Sequence, residues 1–97
     1  MSETDRIVAI LRGALPQLRR RYPVRTLAVF GSVARGDTEP ASDLDVLVEF
    51  ERPVTLSVFL ALEEELSGLS GRRVDLVSRS ALKPFIGQHI VSEAIPV

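Results

Sequence analysis

Three aspartates that interrupt apolar stretches are the residues whose types and spacing best suit chemistry. Asp43 and Asp45 lie two positions apart at the start of one predicted strand, and Asp75 lies inside another. Side chains alternate between the faces of a strand, so Asp43 and Asp45 point the same way, with Cα atoms about 7 Å apart. Aspartate is depleted in strands, and neighbouring carboxylates repel each other unless a cation lies between them. Oxygen ligands of this kind suit Mg²⁺.

The turn formed by Gly31 and Ser32 suits phosphate. It directly follows the apolar residues 27–30, and a helix that begins there would direct its first amide groups at an anion. Arg35 could neutralise charge on a triphosphate, or it could pair with Asp37. Gly31, Ser32 and Arg35 are therefore the candidate nucleotide-binding residues. Together with the aspartates they predict a site for a nucleoside triphosphate and Mg²⁺.

The predicted chemistry depends on Asp75 lying beside the other two aspartates. Three carboxylates on one patch could hold one or two Mg²⁺ ions about 3.5–4 Å apart, as in two-metal phosphoryl transfer. Asp75 could also position an attacking hydroxyl or accept its proton. An Asp-x-Asp pair alone is a weak signal, because it also fits a sugar-nucleotide site or a charged strand edge that prevents aggregation. Its combination with Gly31-Ser32 and a third strand aspartate is more specific.

The composition is that of an ordinary globular protein of modest size. The chain has 97 residues, 45% of them hydrophobic and 26% charged, which predicts a single domain spanning residues 1–97. The net charge of −1 provides no overall attraction to nucleic acid or to an anionic membrane. The absence of cysteine excludes disulfides and thiolate metal sites. No apolar run approaches the roughly 20 residues that span a bilayer, and the N-terminus does not resemble a secretory signal, so we expect a cytoplasmic protein.

Helices and strands alternate along the chain. Apolar residues at helical spacing predict the helices, and short apolar runs between turn residues predict the strands. The predicted order is helix 4–21, strand 25–30, short helix 32–36, loop 37–41, strand 43–50, helix 55–69, strand 72–78 and helix 82–94. This order predicts an α/β fold in which a mixed sheet of at least three strands packs against helices.

Local features of these helices lead to further expectations. Ser2 or Thr4 could cap the first helix, and Pro16 should kink or restart it. Residues 19–21 are arginines at its end, which fit either a solvated helix terminus or a patch for an acidic partner or phosphates. His89 lies on an apolar stripe and is expected to be structural, since no second histidine could share a metal with it. The predicted buried face of the helix at 55–69 consists of Leu56, Phe59, Leu62, Leu66 and Leu69, and glutamates 63–65 are expected to be solvated.

Taken together, the motifs resemble the minimal nucleotidyltransferases of the DNA polymerase β superfamily, which are often paired with HEPN-domain proteins in prokaryotic toxin–antitoxin modules. The resemblance runs over essentially the whole chain, with Asp37 standing where many relatives have glutamate. The residues that carry it are Phe30-Gly31-Ser32, Ala34-Arg35-Gly36-Asp37, the stretch from Ser42 to Val48, the stretch from Val74 to Val77, Leu82-Lys83-Pro84 and Glu93-Ala94.

The resemblance implies a Mg²⁺-dependent enzyme that transfers AMP from ATP to a hydroxyl, typically a tyrosine of the HEPN toxin, and so acts as an antitoxin. It also implies that Gly31 and Ser32 bind phosphate and that Asp43, Asp45 and Asp75 are the catalytic metal ligands. We expect no additional domain, so the acceptor would be brought by a partner, with no membrane or nucleic acid involved. One alternative is a non-catalytic nucleotide-binding module that neutralises its partner by direct contact. Transfer to a small-molecule hydroxyl is another, which the lack of an acceptor-binding domain disfavours.

Overall fold

The structure is a computed structural model that describes residues 2–37, 39, 42–82 and 84–97, with residues 84–86 described by their backbone alone. Part of the predicted loop at 37–41 and residue 83 lie outside the described residues. The elements are α1 (Glu3–Arg21), β1 (Val24–Phe30), α2 (Gly31–Ala34), β2 (Leu44–Phe50), α3 (Leu56–Ser70), β3 (Val74–Ser78), α4 (Pro84–Glu93) and β4 (Ile95–Pro96), with one 3₁₀ turn at Arg79–Ala81. None of the helices in these described ranges combines the length and apolar character that crossing a bilayer requires.

The four strands form one mixed sheet in the order β3-β2-β1-β4. β1 pairs antiparallel with both β2 and β4, whereas β2 and β3 are parallel and are joined through α3. The predicted α/β fold with a mixed sheet is therefore confirmed. The edge strand β4 was not predicted. It has only two residues, one of them proline, so its sequence carries no strand pattern and only its pairing with Ala28 and Val29 defines it.

The core lies on one face of the sheet, under α1 and α3. Leu44, Val46 and Val48 of β2 are fully buried there, and Val74 and Leu76 of β3 join them. The remaining core residues in the two long helices are Ile7, Val8, Leu11, Leu15, Leu18, Leu62 and Leu66. Because side chains alternate along a strand, burying these residues directs Asp45 and Asp75 to the opposite face. We call this the open face because Asp75 is exposed on it, although Leu47 of β2 is buried there.

α1 is anchored at its first turn. Ser2 caps it as predicted, because its hydroxyl accepts from the Asp5 backbone and the Asp5 carboxylate accepts from the Ser2 backbone. Thr4 has a different role: its buried hydroxyl donates to the Val33 carbonyl at 2.7 Å and ties α1 to α2. The helix runs through Pro16 without an interruption, so the predicted restart is wrong.

The predicted buried face of α3 is confirmed only in part. Its buried stripe consists of Leu62, Leu66 and Ser70, and Phe59 packs against the core, whereas Leu56 is 71% exposed and Leu69 is 38% exposed. At 3.6 residues per turn, Leu69 lies about 60° and Leu56 about 80° from the centre line of this stripe, on opposite sides of it, which explains their exposure. His89 does not lie within an apolar stripe, since its side chain is 73% exposed and reaches the Glu93 carboxylate at 3.4 Å.

The outer edge of β3 is covered by side chains of α3. Glu63 accepts from the Leu76 amide at 2.8 Å, and the Ser67 hydroxyl accepts from the Val74 amide at 3.1 Å. Glu63 was expected to be solvated, and the prediction failed because helical periodicity does not reveal which edge amides need a partner. These bonds occupy amides that would otherwise be available for edge pairing. They also hold in place the strand that carries Asp75.

Gly13 offers a test of α1 that is independent of the predicted site. It lies in the exposed middle of the helix, and a Cβ atom added there would meet nothing within 4 Å. Because glycine weakens a helix interior relative to alanine, we expect Gly13→Ala to raise the free energy of unfolding by about 0.5–1 kcal/mol. Urea denaturation followed by circular dichroism would measure this. A decrease would contradict the exposed helical environment of Gly13.

Candidate active site

The register of the parallel strands places Asp45 directly beside Asp75. The two residues are paired positions in the β2–β3 ladder, where neighbouring strands are about 4.8 Å apart. Asp75 is exposed and Asp45 is half-buried. Asp43 is also exposed but lies just before β2 rather than on it, which corrects the predicted strand start. The open face therefore brings together two of the predicted carboxylates, with Asp43 at the entrance to the strand.

The Asp45 carboxyl is electrostatically strained. Burial raises its pKa above the ordinary value, and the negative charges of Asp75 and Asp43 raise it further, whereas Arg35 lowers it. All three aspartates are therefore close enough for their charges to interact. Two carboxylates raise this pKa and one guanidinium lowers it, so the cluster has an excess of negative charge, which favours a bound cation.

Gly31 lies against Asp45. Its φ angle is +76°, a left-handed conformation that favours glycine. A Cβ atom at this position would lie 2.1 Å from Asp45 Oδ2 and 3.0 Å from its Cγ, far inside contact distance. The turn after β1 thus needs glycine both for its backbone angle and for the close approach to the carboxylate. Since α2 begins at Gly31, the amides of its first turn have no carbonyl partner within the helix.

Ser32 and Arg35 follow on the same turn. Ser32 is half-buried, and its carbonyl accepts from the Asp37 amide at 2.9 Å, which closes the turn. The Arg35 guanidinium donates to the Glu93 carboxylate at 3.2 Å. The predicted alternative partner, Asp37, instead accepts from the Glu39 amide at 3.3 Å. The sequence suggested either a triphosphate or Asp37 as the partner of Arg35, and the structure shows Glu93 instead. Glu93 lies on α4, far from Arg35 in sequence, so no local pattern could have linked the two residues.

The donor set fits a hard divalent cation. Carboxylate oxygens are the ligands that Mg²⁺ prefers, and Asp45 and Asp75 are adjacent in register, where the charge of Asp75 raises the pKa of Asp45. Within the described residues, however, no three acidic or histidine side chains are already arranged as a metal cage. The three carboxylates would therefore have to close further around an ion for all of them to bind it.

A cavity also lies elsewhere in the molecule. A cavity of about 780 Å³ lies at the other ends of β2 and β3, lined in part by Phe50 and Phe59. Its lining includes two glutamates, Glu49 and Glu51, and three arginines. Glu49 is already paired with Arg25 at 3.6 Å and Arg79 at 3.3 Å. The described lining of this cavity therefore has no excess of carboxylates, in contrast to the site at Asp45 and Asp75.

Known proteins resemble this chain over its full length. The family described as nucleotidyltransferase domain matches residues 11–97. Protein adenylyltransferase MntA of Thermococcus cleftensis is 42% identical over 97 residues, covering 100% of this chain and 98% of that protein. A solved minimal nucleotidyltransferase structure is similar with a TM-score of 0.76 and 39% identity, covering 100% of this chain and 97% of that one.

A more distant solved structure shares the fold. It is a complex of a tri-AMPylated Shewanella oneidensis HEPN toxin with an MNT antitoxin, at a TM-score of 0.60 and 19% identity, covering 97% of this chain and 67% of that chain. The family match and the identity to a full-length relative agree with the strand, turn and carboxylate arrangement. The chain therefore belongs to the nucleotidyltransferase domain family, and within it is a minimal nucleotidyltransferase related to the protein adenylyltransferases.

Proposed function

We propose that residues 1–97 form one catalytic domain that transfers AMP from ATP, with Mg²⁺, to a hydroxyl of a HEPN-type toxin in the cytoplasm, and that it acts as the antitoxin. The observation that carries this proposal is the pairing of Asp45 with Asp75 on the open face, with Gly31 packed against Asp45. The relatives support the chemistry, because one is a protein adenylyltransferase and another accompanies an AMPylated HEPN toxin.

The aspartates have distinct roles in this proposal. Asp43, Asp45 and Asp75 would hold Mg²⁺, which when bound neutralises charge on the triphosphate and lowers the pKa of the attacking hydroxyl. Asp75 is more exposed than its ladder neighbour Asp45. It would orient the acceptor hydroxyl and take its proton. The hydroxyl oxygen then forms a bond to the α-phosphorus, the bond to pyrophosphate breaks, and the proton passes from Asp75 to solvent.

The turn after β1 would hold the phosphates. Amides of the first turn from Gly31 would donate to phosphate oxygens, and the Ser32 hydroxyl would add a further donor. The Arg35 guanidinium would place positive charge near the outer phosphates. A tyrosine of the partner is the acceptor that this proposal names, as the resemblance to the minimal nucleotidyltransferases implies. The exposed position of Asp75 would let a side chain presented by a partner protein approach it.

Labelled ATP tests the reaction directly. The chain is incubated with Mg²⁺ and a HEPN-type protein from the neighbouring gene, and the label is on either the α- or the γ-phosphate. We expect α-label on the partner, released by treatment that removes AMP and absent when the acceptor tyrosine is replaced by phenylalanine. A partner labelled only from the γ-phosphate would make the chain a kinase and contradict the proposal. Glu64→Gln, an exposed change on α3, serves as the matched control and should transfer label normally.

The same system separates catalysis from binding. Replacing Asp43, Asp45 and Asp75 together with asparagine should eliminate both label transfer and neutralisation of the toxin. Full neutralisation by this triple variant would instead support the binding module that silences its partner by contact. Label on a small-molecule hydroxyl but not on the protein would support the remaining alternative.

A further inference from the structure

Glu93, a residue outside the predicted site, contacts the arginine of the phosphate-binding turn. Its carboxylate accepts from the Arg35 guanidinium at 3.2 Å, across 58 positions of sequence. The same carboxylate lies 3.4 Å from His89 Nε2, one turn earlier on α4. Glu93 is the less exposed partner, at 32% against 61% for Arg35, so it is the better fixed of the two.

The backbone on both sides of this ion pair is anchored to β1. Arg35 follows β1 directly through α2, which contacts α4. Glu93 precedes β4, where Ile95 pairs with Val29 of β1. The end of the chain is held further by a bond from the Val97 amide to the Leu27 carbonyl at 3.0 Å. The short strand β4 thus fixes the end of α4 at the edge of the open face.

The ion pair leaves Arg35 on the same turn as Gly31. The Arg35 amide donates to the Gly31 carbonyl at 3.2 Å and to the Ser32 carbonyl at 3.1 Å, and Gly31 itself lies against Asp45. A guanidinium has five N–H donors, so one group can hold Glu93 and a phosphate at once. A long side chain that is already oriented loses less rotamer freedom when a ligand binds.

We propose that Glu93 is a positioning residue that holds Arg35 towards the triphosphate, and that β4 serves to place it there. This inference rests on the nucleotide-binding role proposed above for Arg35. It assigns a function to the C-terminal segment, whose last residues contain no catalytic group of their own.

Measuring nucleotide affinity tests whether Glu93 positions Arg35. Glu93→Gln should weaken binding of a non-hydrolysable ATP analogue and raise the KM for ATP by about two- to fivefold, as expected for a partly exposed charge pair. The kcat should change by less than about twofold, because the change acts through the position of a binding group. Glu93→Asp, which keeps the charge, should restore part of the affinity. In an Arg35→Ala background Glu93→Gln should have no further effect, since residues that act through one another are not additive.

Glu49→Gln is the matched control. Glu49 has nearly the same exposure, 33%, and also contacts two cationic side chains, Arg25 and Arg79, but it lies at the other end of β2. Its replacement should leave KM unchanged. An unchanged KM for Glu93→Gln, with normal binding by the wild type, would overturn this inference alone. A lowered KM would also overturn it, because Glu93 would then be competing with phosphate for Arg35. Failure of the wild type to bind nucleotide would reject the proposed function and this inference with it.

Discussion

Replacing Asp45 with asparagine is expected to reduce nucleotide transfer severely and yet to stabilise the metal-free protein. Asp45 is half-buried and adjacent to Asp75 in the ladder, and an isosteric amide removes the charge without changing the volume. Loss of one metal-binding carboxylate should reduce kcat/KM by about 10³-fold, which corresponds to several kcal/mol of transition-state stabilisation. The gain in stability follows from removing a charge that its neighbours repel.

The cost of the Asp45 charge to the stability of the metal-free protein should depend on pH. Burial and neighbouring negative charge raise the folded-state pKa of Asp45 above the ordinary aspartate value of 3.8. The folded protein therefore binds more protons than the unfolded chain between the two pKa values, and stability falls as the pH rises through that window. The Asp45→Asn variant lacks this loss. Its free energy of unfolding should therefore exceed that of the wild type only slightly below pH 3.8, and the difference should reach a plateau above the pKa of Asp45 in the folded protein.

Urea denaturation in EDTA at acid and neutral pH would measure this difference. Asp43→Asn is the comparison variant: it should also impair transfer, but because Asp43 is exposed its stability should change less. Mg²⁺ should stabilise the wild type by mass action and Asp45→Asn much less. A variant that keeps full activity would show that Asp45 is not a metal ligand, and a variant that is less stable without metal would contradict the repulsion between carboxylates.

Gly31→Ala is expected to lower stability and to prevent transfer, because the added methyl group meets both a backbone and a packing constraint. The left-handed φ of +76° costs a non-glycine residue about 1–2 kcal/mol. The clash with Asp45 should add about 1–3 kcal/mol of overpacking. Rotation of the carboxylate cannot fully relieve this clash, since Asp45 Cβ would also lie at 3.3 Å.

Two further variants separate these contributions. Gly71→Ala has nearly the same φ, +70°, but nothing within 4 Å of the new Cβ, so it measures the backbone strain alone. Gly31→Ala combined with Asp45→Gly removes the clashing carboxylate and should recover the packing part of the loss, while remaining inactive. Equal destabilisation by Gly31→Ala and Gly71→Ala would show that the turn moves away from Asp45 without cost.

Local sequence patterns were sufficient for most of the fold. Apolar residues at period two placed Leu44, Val46 and Val48 in the core and so directed Asp45 to the other face. Helical spacing placed α1 and α3, and Gly31-Ser32 marked the end of β1. These features are encoded by neighbouring residues, because backbone sterics and burial act over a few positions. The candidate nucleotide-binding turn and the strand aspartates could therefore be named from sequence.

Only the tertiary structure decided how these parts meet. Strand register is a long-range property, so the pairing of Asp45 with Asp75 became visible only once β2 and β3 were placed side by side. The same holds for the contact of Gly31 with Asp45, and for the bond between Arg35 and Glu93, which lie far apart in sequence. β4 exists only as a partner of β1. Periodicity determines which face a residue occupies, whereas packing determines which residue it touches.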